Sequence, residues 1–423
     1  MKNISRLLAS SVLLTPLAQG AAFQLFERSS SGLGHAFSGG AAYAEDASVL
    51  ASNPAAMIML GGNWNISAGL NLIDVESETT GLSPNSSGGL STVSGNADTT
   101  SYVPMLYVTK RVNENLVLGL GTFTTYGLKT EYPDSFADFA GTSLSELVSV
   151  NINPSIAYRV NEVITLGAGL DILYAEGNIS SRSPDAVLAG TGNLFDLEGD
   201  DIAFGFNIGV LLELHDRLTF GLHYRSSIEL GIEGEAALGT GLNNIAGGAV
   251  VIPGTYDASL DVELPETVEA SLTFKASKCL DLHADVFWTN WDKVPTLSPK
   301  VNGTLSDAAV NSIIETTLNW ESTFRYAVGA TYRPNEKWTL RAGVAYDQSP
   351  VEDDNRTLRI PDRDRIWLSA GFTYHFADHY SVDFGYSHLF ADDVTIDPNE
   401  PFYNGTISGD ADLFAISFNA QFD

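Results

Sequence analysis

The sequence predicts an all-β protein: a 14-stranded antiparallel transmembrane β-barrel whose lumen is plugged by a small, partly helical N-terminal segment. Three observations point there. No run of about 18 apolar residues occurs, so no helix is long enough to cross a bilayer, whereas a closed barrel crosses without one. From Asn63 onward, segments of about ten residues alternate apolar and polar side chains, the pattern of strands with one face to lipid and one to a lumen. The connections between them are short and long in strict turn, as in outer-membrane barrels, where tight turns face the periplasm and long loops face outward.

Residues 1–20 read as a signal peptide. Lys2 and Arg6 form a basic start, Leu7 to Leu17 is a short apolar stretch, and Ala18-Gln19-Gly20 offers small residues for cleavage after Gly20. Residues 21–62 show no sustained alternation, and Asp46 and Asn53-Pro54 are placed to cap short helices. About forty residues without a disulfide cannot form a core of their own. Phe23, Leu25, Phe26, Leu33, Phe37 and Met57 must therefore be covered, and the inside of the barrel is the available place.

Residues 63–423 supply the strands, starting near residues 64, 101, 115, 147, 163, 202, 217, 265, 280, 322, 337, 365, 379 and 412. The last is the clearest: Phe414, Ile416, Phe418, Ala420 and Phe422 interleave with Ala415, Ser417, Asn419 and Gln421. An even count lets an antiparallel barrel close with both ends on one side. Asn71, Asp171, His223, Arg225, Asp285, Arg325, Arg341 and Asp383 fall on the inward parity and read as a pairing network.

Composition excludes other classes. With 52 acidic against 22 basic residues the net charge is −30, which repels nucleic acid. A single cysteine, Cys279, leaves no intrachain disulfide and no cysteine-based metal cluster. The acidic runs Glu352-Asp353-Asp354 and Asp392-Asp393 read as solvated outer loops, and no metal or cofactor is expected. Ser387 and His388 are adjacent on a strand and so face opposite sides, leaving no arranged hydrolytic pair and no expected enzyme. Two outer segments are apolar for their position: residues 183–199, with Val187, Leu188, Leu194 and Phe195, and residues 236–252, with Leu238, Leu242 and Ile245. Such patches mark a binding surface or a lid packed on itself.

Several motifs then carry a resemblance. Phe23-Gln24-Leu25, Ser31-Gly32-Leu33-Gly34, Ala36-Phe37-Ser38-Gly39 and Ser52-Asn53-Pro54-Ala55 closely resemble the N-terminal hatch of the FadL family of outer-membrane long-chain fatty acid transporters. Ile360-Pro361-Asp362-Arg363-Asp364-Arg365, Trp367-Leu368-Ser369 and Tyr126-Gly127-Leu128 are similar to that family too. The resemblance implies residence in the outer membrane of a Gram-negative bacterium, among its lipids, as a passive carrier acting as a monomer. Its ligand is expected to be a long-chain fatty acid, or in the alternative an aromatic or aliphatic hydrocarbon. It implies a hatch over residues 21–62 bearing the Asn53-Pro54-Ala55 motif, with Ala21, Ala22 and Phe23 beside the ligand. It also implies a lateral opening at a kink in the third strand, at Tyr126-Gly127-Leu128. The apolar outer loops then form the groove that first captures the ligand. Arg182, Arg225 and Arg325 are the candidates for holding a carboxylate head group.

Overall fold

The computed structural model describes residues 22–85, 87–182, 193–242, 250–396 and 402–423. The alternating segments form β1 (Trp64–Val75), β2 (Thr99–Asn113), β3 (Leu116–Phe123, resumed over Leu128–Glu131), β4 (Thr142–Arg159) and β5 (Ile164–Arg182). They continue as β6 (Asn193–His215), β7 (Leu218–Arg225, resumed over Ile228–Leu238), β8 (Gly254–Leu264, resumed over Thr267–Lys275) and β9 (Leu280–Thr289). The remainder are β10 (Thr323–Asn335), β11 (Trp338–Asp347), β12 (Arg365–Ala377), β13 (Tyr380–Ala391) and β14 (Ala411–Phe422). Each pairs antiparallel with its chain neighbours, and β1 closes the ring by pairing with β14 from Trp64↔Phe422 to Val75↔Ala411. All fourteen expected strands are present, although β6 and β8 begin earlier, at Asn193 and Gly254 instead of near 202 and 265.

Two segments read as loops belong in part to the wall. β6 begins at Asn193 and has 23 residues, and β7 runs on to Leu238. The physical reason is that the wall continues outward past the lipid belt. Ile202, Phe204, Phe206 and Ile208 are exposed on the outer face of β6, and above them exposed Glu198 and Asp200 take the same parity. Leu194, Phe195, Leu197 and Leu238 are apolar because they are buried there. Together with Leu242 they pack against Val310 and Ile314 of helix Asp307–Ile314. Of the outer-segment residues read as a capture groove, Val187, Leu188 and Ile245 lie outside the described residues, as does Ala21. A separate four-stranded sheet (Glu78–Pro84, Leu90–Asn96, Val394–Thr395 and Asn404–Ser408) packs with helix Asp134–Ala140, through Phe136, Val93 and Tyr403.

Residues 22–62 lie inside the ring. They carry α1 (Ser30–Leu33), α2 (Val49–Ser52) and a 3-10 turn, Pro54–Met59. Asn53 organises this turn. Its side-chain oxygen accepts from Ala55 N at 3.0 Å, and its Nδ2 donates to Ala41 O (2.7 Å) and to Val210 O of β6 (3.2 Å). Pro54 follows at the first helical position, where no amide proton is needed. The wall receives the plug at lumen-facing glycines. A β-carbon at Gly221 would collide with the Ala41 backbone, at Gly343 with the His35 backbone, and at Gly371 it would stand 2.7 Å from Gly34 Cα. Ion pairs complete the docking: Arg28 meets Glu269 of β8 at 3.2 Å, and Glu45 accepts from Arg341 Nε of β11 at 2.6 Å.

Candidate ligand cavity

β3 breaks at Thr124–Gly127, where it leaves β2 and keeps only β4 as a partner. Its first half pairs with β2 only as far as Leu106↔Thr122, leaving Thr99–Met105 of β2 in register with β1 alone. The chain then bends inward and meets residues 23–25. Gln24 bridges Tyr126, Leu25 N donates to Thr125 O (2.9 Å), and Gly127 N donates to Phe23 O (2.8 Å). Tyr126 is fully buried and its hydroxyl donates to Pro265 O at 2.7 Å, at the interruption of β8. The N-terminal segment thus stands as a short extra strand at the wall's discontinuity.

Beside it opens an apolar cavity. Small residues fall in one row along it. Gly177 of β5 is in register with Gly199 of β6, Gly199 with Gly234 of β7, and Gly234 with Ala258 of β8. Without a side chain at Gly177, space remains between Leu147, Ile179, Leu197, Leu230, Ile232, Leu260 and Val262. Phe23 and Leu128 form the end nearest the strand break. Phe23 is itself seated among aromatic rings, edge-on to Trp291 at 4.8 Å, with Trp320 at 5.4 Å and Tyr126 at 6.2 Å. Ala22 is buried in the same cluster.

One guanidinium lines the cavity among the described residues, that of Arg359. Its Nη1 makes three long contacts, to Leu144 O, Ser145 Oγ and Ser180 O (3.3–3.4 Å), while Nη2 donates to Ser181 Oγ at 2.5 Å. Phe195 lies beneath it at 5.6 Å. The segment that delivers it is tied down by neighbouring arginines: Arg356 bonds Asp362 O (2.9 Å) and Val351 O (3.0 Å), and Arg365 pairs with Asp362 (3.2 Å) and Asp347 (3.4 Å). Glu146 and Glu198 border the slot through their strands, but Glu146 is paired with Lys129 at 3.5 Å and Glu198 is exposed on the outward parity. The cavity is therefore a greasy slot with one fixed cation on its wall.

The three arginines singled out from the sequence lie elsewhere. Arg182 is held by Asp134 (3.3 Å) and Asp138 (2.6 Å) of helix Asp134–Ala140. Arg225 pairs with Asp171 and donates to Ala51 O (3.1 Å). Arg325 donates to Ala36 O (2.9 Å) and stacks between Phe26 (4.6 Å) and Trp367 (4.8 Å). The last two fasten the plug to the wall and none of the three lines the cavity. Arg359 was missed because four arginines fall between residues 356 and 365, and nothing in the spacing says which one faces inward.

Residues 11–422 match the model of the family described as "Outer membrane protein transport protein (OMPP1/FadL/TodX)". The chain belongs to this family. It is 33% identical over 446 residues to a long-chain fatty acid transport protein of Escherichia coli, covering 99% of this chain and 98% of that one. It is 32% identical over 431 residues to outer membrane protein P1 of Haemophilus influenzae, covering 92% and 90% respectively. Among solved structures it resembles a FadL homologue of Pseudomonas aeruginosa (TM-score 0.83, 22% identity, 95% of this chain and 100% of that one). It also resembles the toluene transporter TodX of Pseudomonas putida (TM-score 0.70, 20% identity, 90% and 95%). Members of the FadL family with this wall reside in the outer membrane, and the chain is an outer-membrane transport protein.

Proposed function

We propose that the protein carries long-chain fatty acids passively across the outer membrane, binding them in the cavity beside Phe23. The observation that carries this is the pairing of an extended apolar slot with the Arg359 guanidinium on its wall. Burial of an alkyl chain contributes roughly 0.8 kcal/mol per CH₂, so the tail supplies most of the affinity and the cation orients the head. The E. coli relative named for long-chain fatty acid transport supports the substrate class. The ligand passes from outside, past the packed outer cover, to the cavity. Withdrawal of residues 22–25 from the β3 break then lets it leave sideways into the bilayer. The closed wall offers no strand edge to a second copy, so the working unit is one chain among outer-membrane lipids.

A second reading has its own observation. Phe23 presents a benzene ring to Tyr126, Trp291 and Trp320, which is the environment a monoaromatic hydrocarbon needs. Uptake of labelled oleate by a host lacking its own transporter, with toluene as competitor, separates the two. The fatty acid reading expects uptake in the parent and its loss in Phe23→Ala and Gly127→Val barrels that assemble normally. Toluene entry without oleate uptake would move the assignment to hydrocarbons.

A further inference from the structure

A second discontinuity lies between β6 and β7. Their register runs from Leu218↔His215 to Arg225↔Asn207, stops, and resumes at Glu233↔Asp200. Bonds across the interval recruit side chains. Ser226 N still donates to Phe206 O (2.9 Å), but Phe206 N donates to Ser226 Oγ (3.0 Å) and Gly231 N to Asp201 Oδ2 (2.8 Å). Each of those two side chains stands where a strand carbonyl would otherwise accept. Behind the seam, Leu230 and Ile232 line the apolar cavity. In front of it, Ile202 and Phe204 are 44% and 64% exposed, so the lipid-facing apolar surface rises to the seam.

We infer that this seam is a lateral portal through which a long alkyl chain dissolved in the outer leaflet enters the cavity directly from the membrane. The inference rests on the reading that the cavity carries alkyl chains. Three features favour it. Parting the strands there breaks side-chain straps instead of a continuous backbone ladder, which is the feature that keeps an ordinary barrel wall shut. Apolar side chains stand at both ends of the path, Phe204 on the lipid side and Leu230 in the cavity, with Asp201 and Glu229 at the seam between them. The portal also opens on the face of the cavity made by β6 and β7, away from the β3 break, so entry from lipid and exit at Tyr126 use different parts of the wall.

The test uses the full-length chain in the transporter-deficient host, in a Cys279→Ser background. Asp200→Cys with Glu233→Cys places two thiols directly opposite each other on the outer face, at the upper edge of the seam where the register resumes. Two labelled probes are followed: hexadecane, which reaches the barrel only from lipid, and oleate supplied on albumin, which arrives from water. The portal expects oxidation to the disulfide to cut hexadecane uptake at least fivefold, dithiothreitol to restore it in the same cells, and oleate uptake to hold. Asp201→Ala, which removes one strap, should raise the initial rate for hexadecane. Equal hexadecane uptake in oxidised and reduced cells, or its absence from the parent, overturns the portal. Equal loss of both probes on oxidation assigns the effect to a deformed cavity and overturns it too. A parent that takes up no oleate overturns the underlying reading instead.

Discussion

Arg359 sets the polarity of the cavity, because its guanidinium is the one that lines it among the described residues. A charge-assisted hydrogen bond contributes about 1.5–3 kcal/mol. Arg359→Gln should therefore weaken oleate binding to purified protein by roughly tenfold to a hundredfold while leaving toluene binding within about twofold, as read by equilibrium titration. Two carboxylates of the plug give pH dependence of opposite sign. Burial pushes Glu27 up to about 7, against the pull of Arg365 and Arg325. The docked form thus holds a proton that the free chain loses near 4.5, so docking weakens as pH rises from 4.5 towards 7. Burial also opposes the charge on Glu45, but Arg341 outweighs it and takes the group down to about 2, so that contribution is lost as pH falls below 4.5. Protection factors of residues 22–29, with the base-catalysed intrinsic rate divided out, should accordingly be lower at pH 8 than at pH 6, and Glu27→Gln should remove the difference. These roles were not readable beforehand, since a one-residue change in a bend decides which arginine or glutamate turns inward.

Of the row Gly177–Gly199–Gly234, Gly177 is the member whose missing side chain leaves room at the cavity, whereas the other two let neighbouring backbones approach. Gly177 is the position to fill, because a β-carbon there meets only Ile232 Cδ1 at an ordinary 3.4 Å. Gly177→Leu should lower oleate affinity at least tenfold without changing the barrel's heat-modified gel mobility. At Gly199, by contrast, a β-carbon would stand 2.7 Å from Glu233 O and disturb the wall itself. Gly343→Val should push the plug off the wall at His35, costing about 1–3 kcal/mol of docking and increasing protease access to residues 30–40. The strands were legible because period-two alternation is imposed by lipid on one side and a polar lumen on the other, over every one of Trp64 to Phe422's crossings. Their outer lengths were not, since above the lipid belt charged Glu198 and Asp200 take the outward parity and only the buried face stays apolar. Asn53-Pro54 was legible as a cap because its chemistry is local. The glycine row was not, because it depends on register between strands far apart in sequence.

At the scale of the molecule, the closed wall, the docked plug and the outer cover leave the cavity beside two places where the ladder fails: the β3 break and the β6–β7 seam. On the proposed route only residues 22–25 leave Tyr126, while the bonds of Arg225, Arg325 and Arg341 hold the rest of the plug. Motif similarity made the plug and the break legible from the outset. The outer cover was harder to read, because Leu194, Phe195, Leu238 and Leu242 look alike whether they form an open groove or a packed lid, and burial resolves them as packed. The measurement that tests the central claim most directly is a crystal of the protein soaked with a long-chain fatty acid brominated at its tail. We expect the bromine's anomalous peak inside the barrel, between Gly177 and Leu260, with the carboxylate against Arg359. A peak confined to the outer cover, or a chain whose carboxylate meets Arg182, Arg225 or Arg325 instead, would contradict the account.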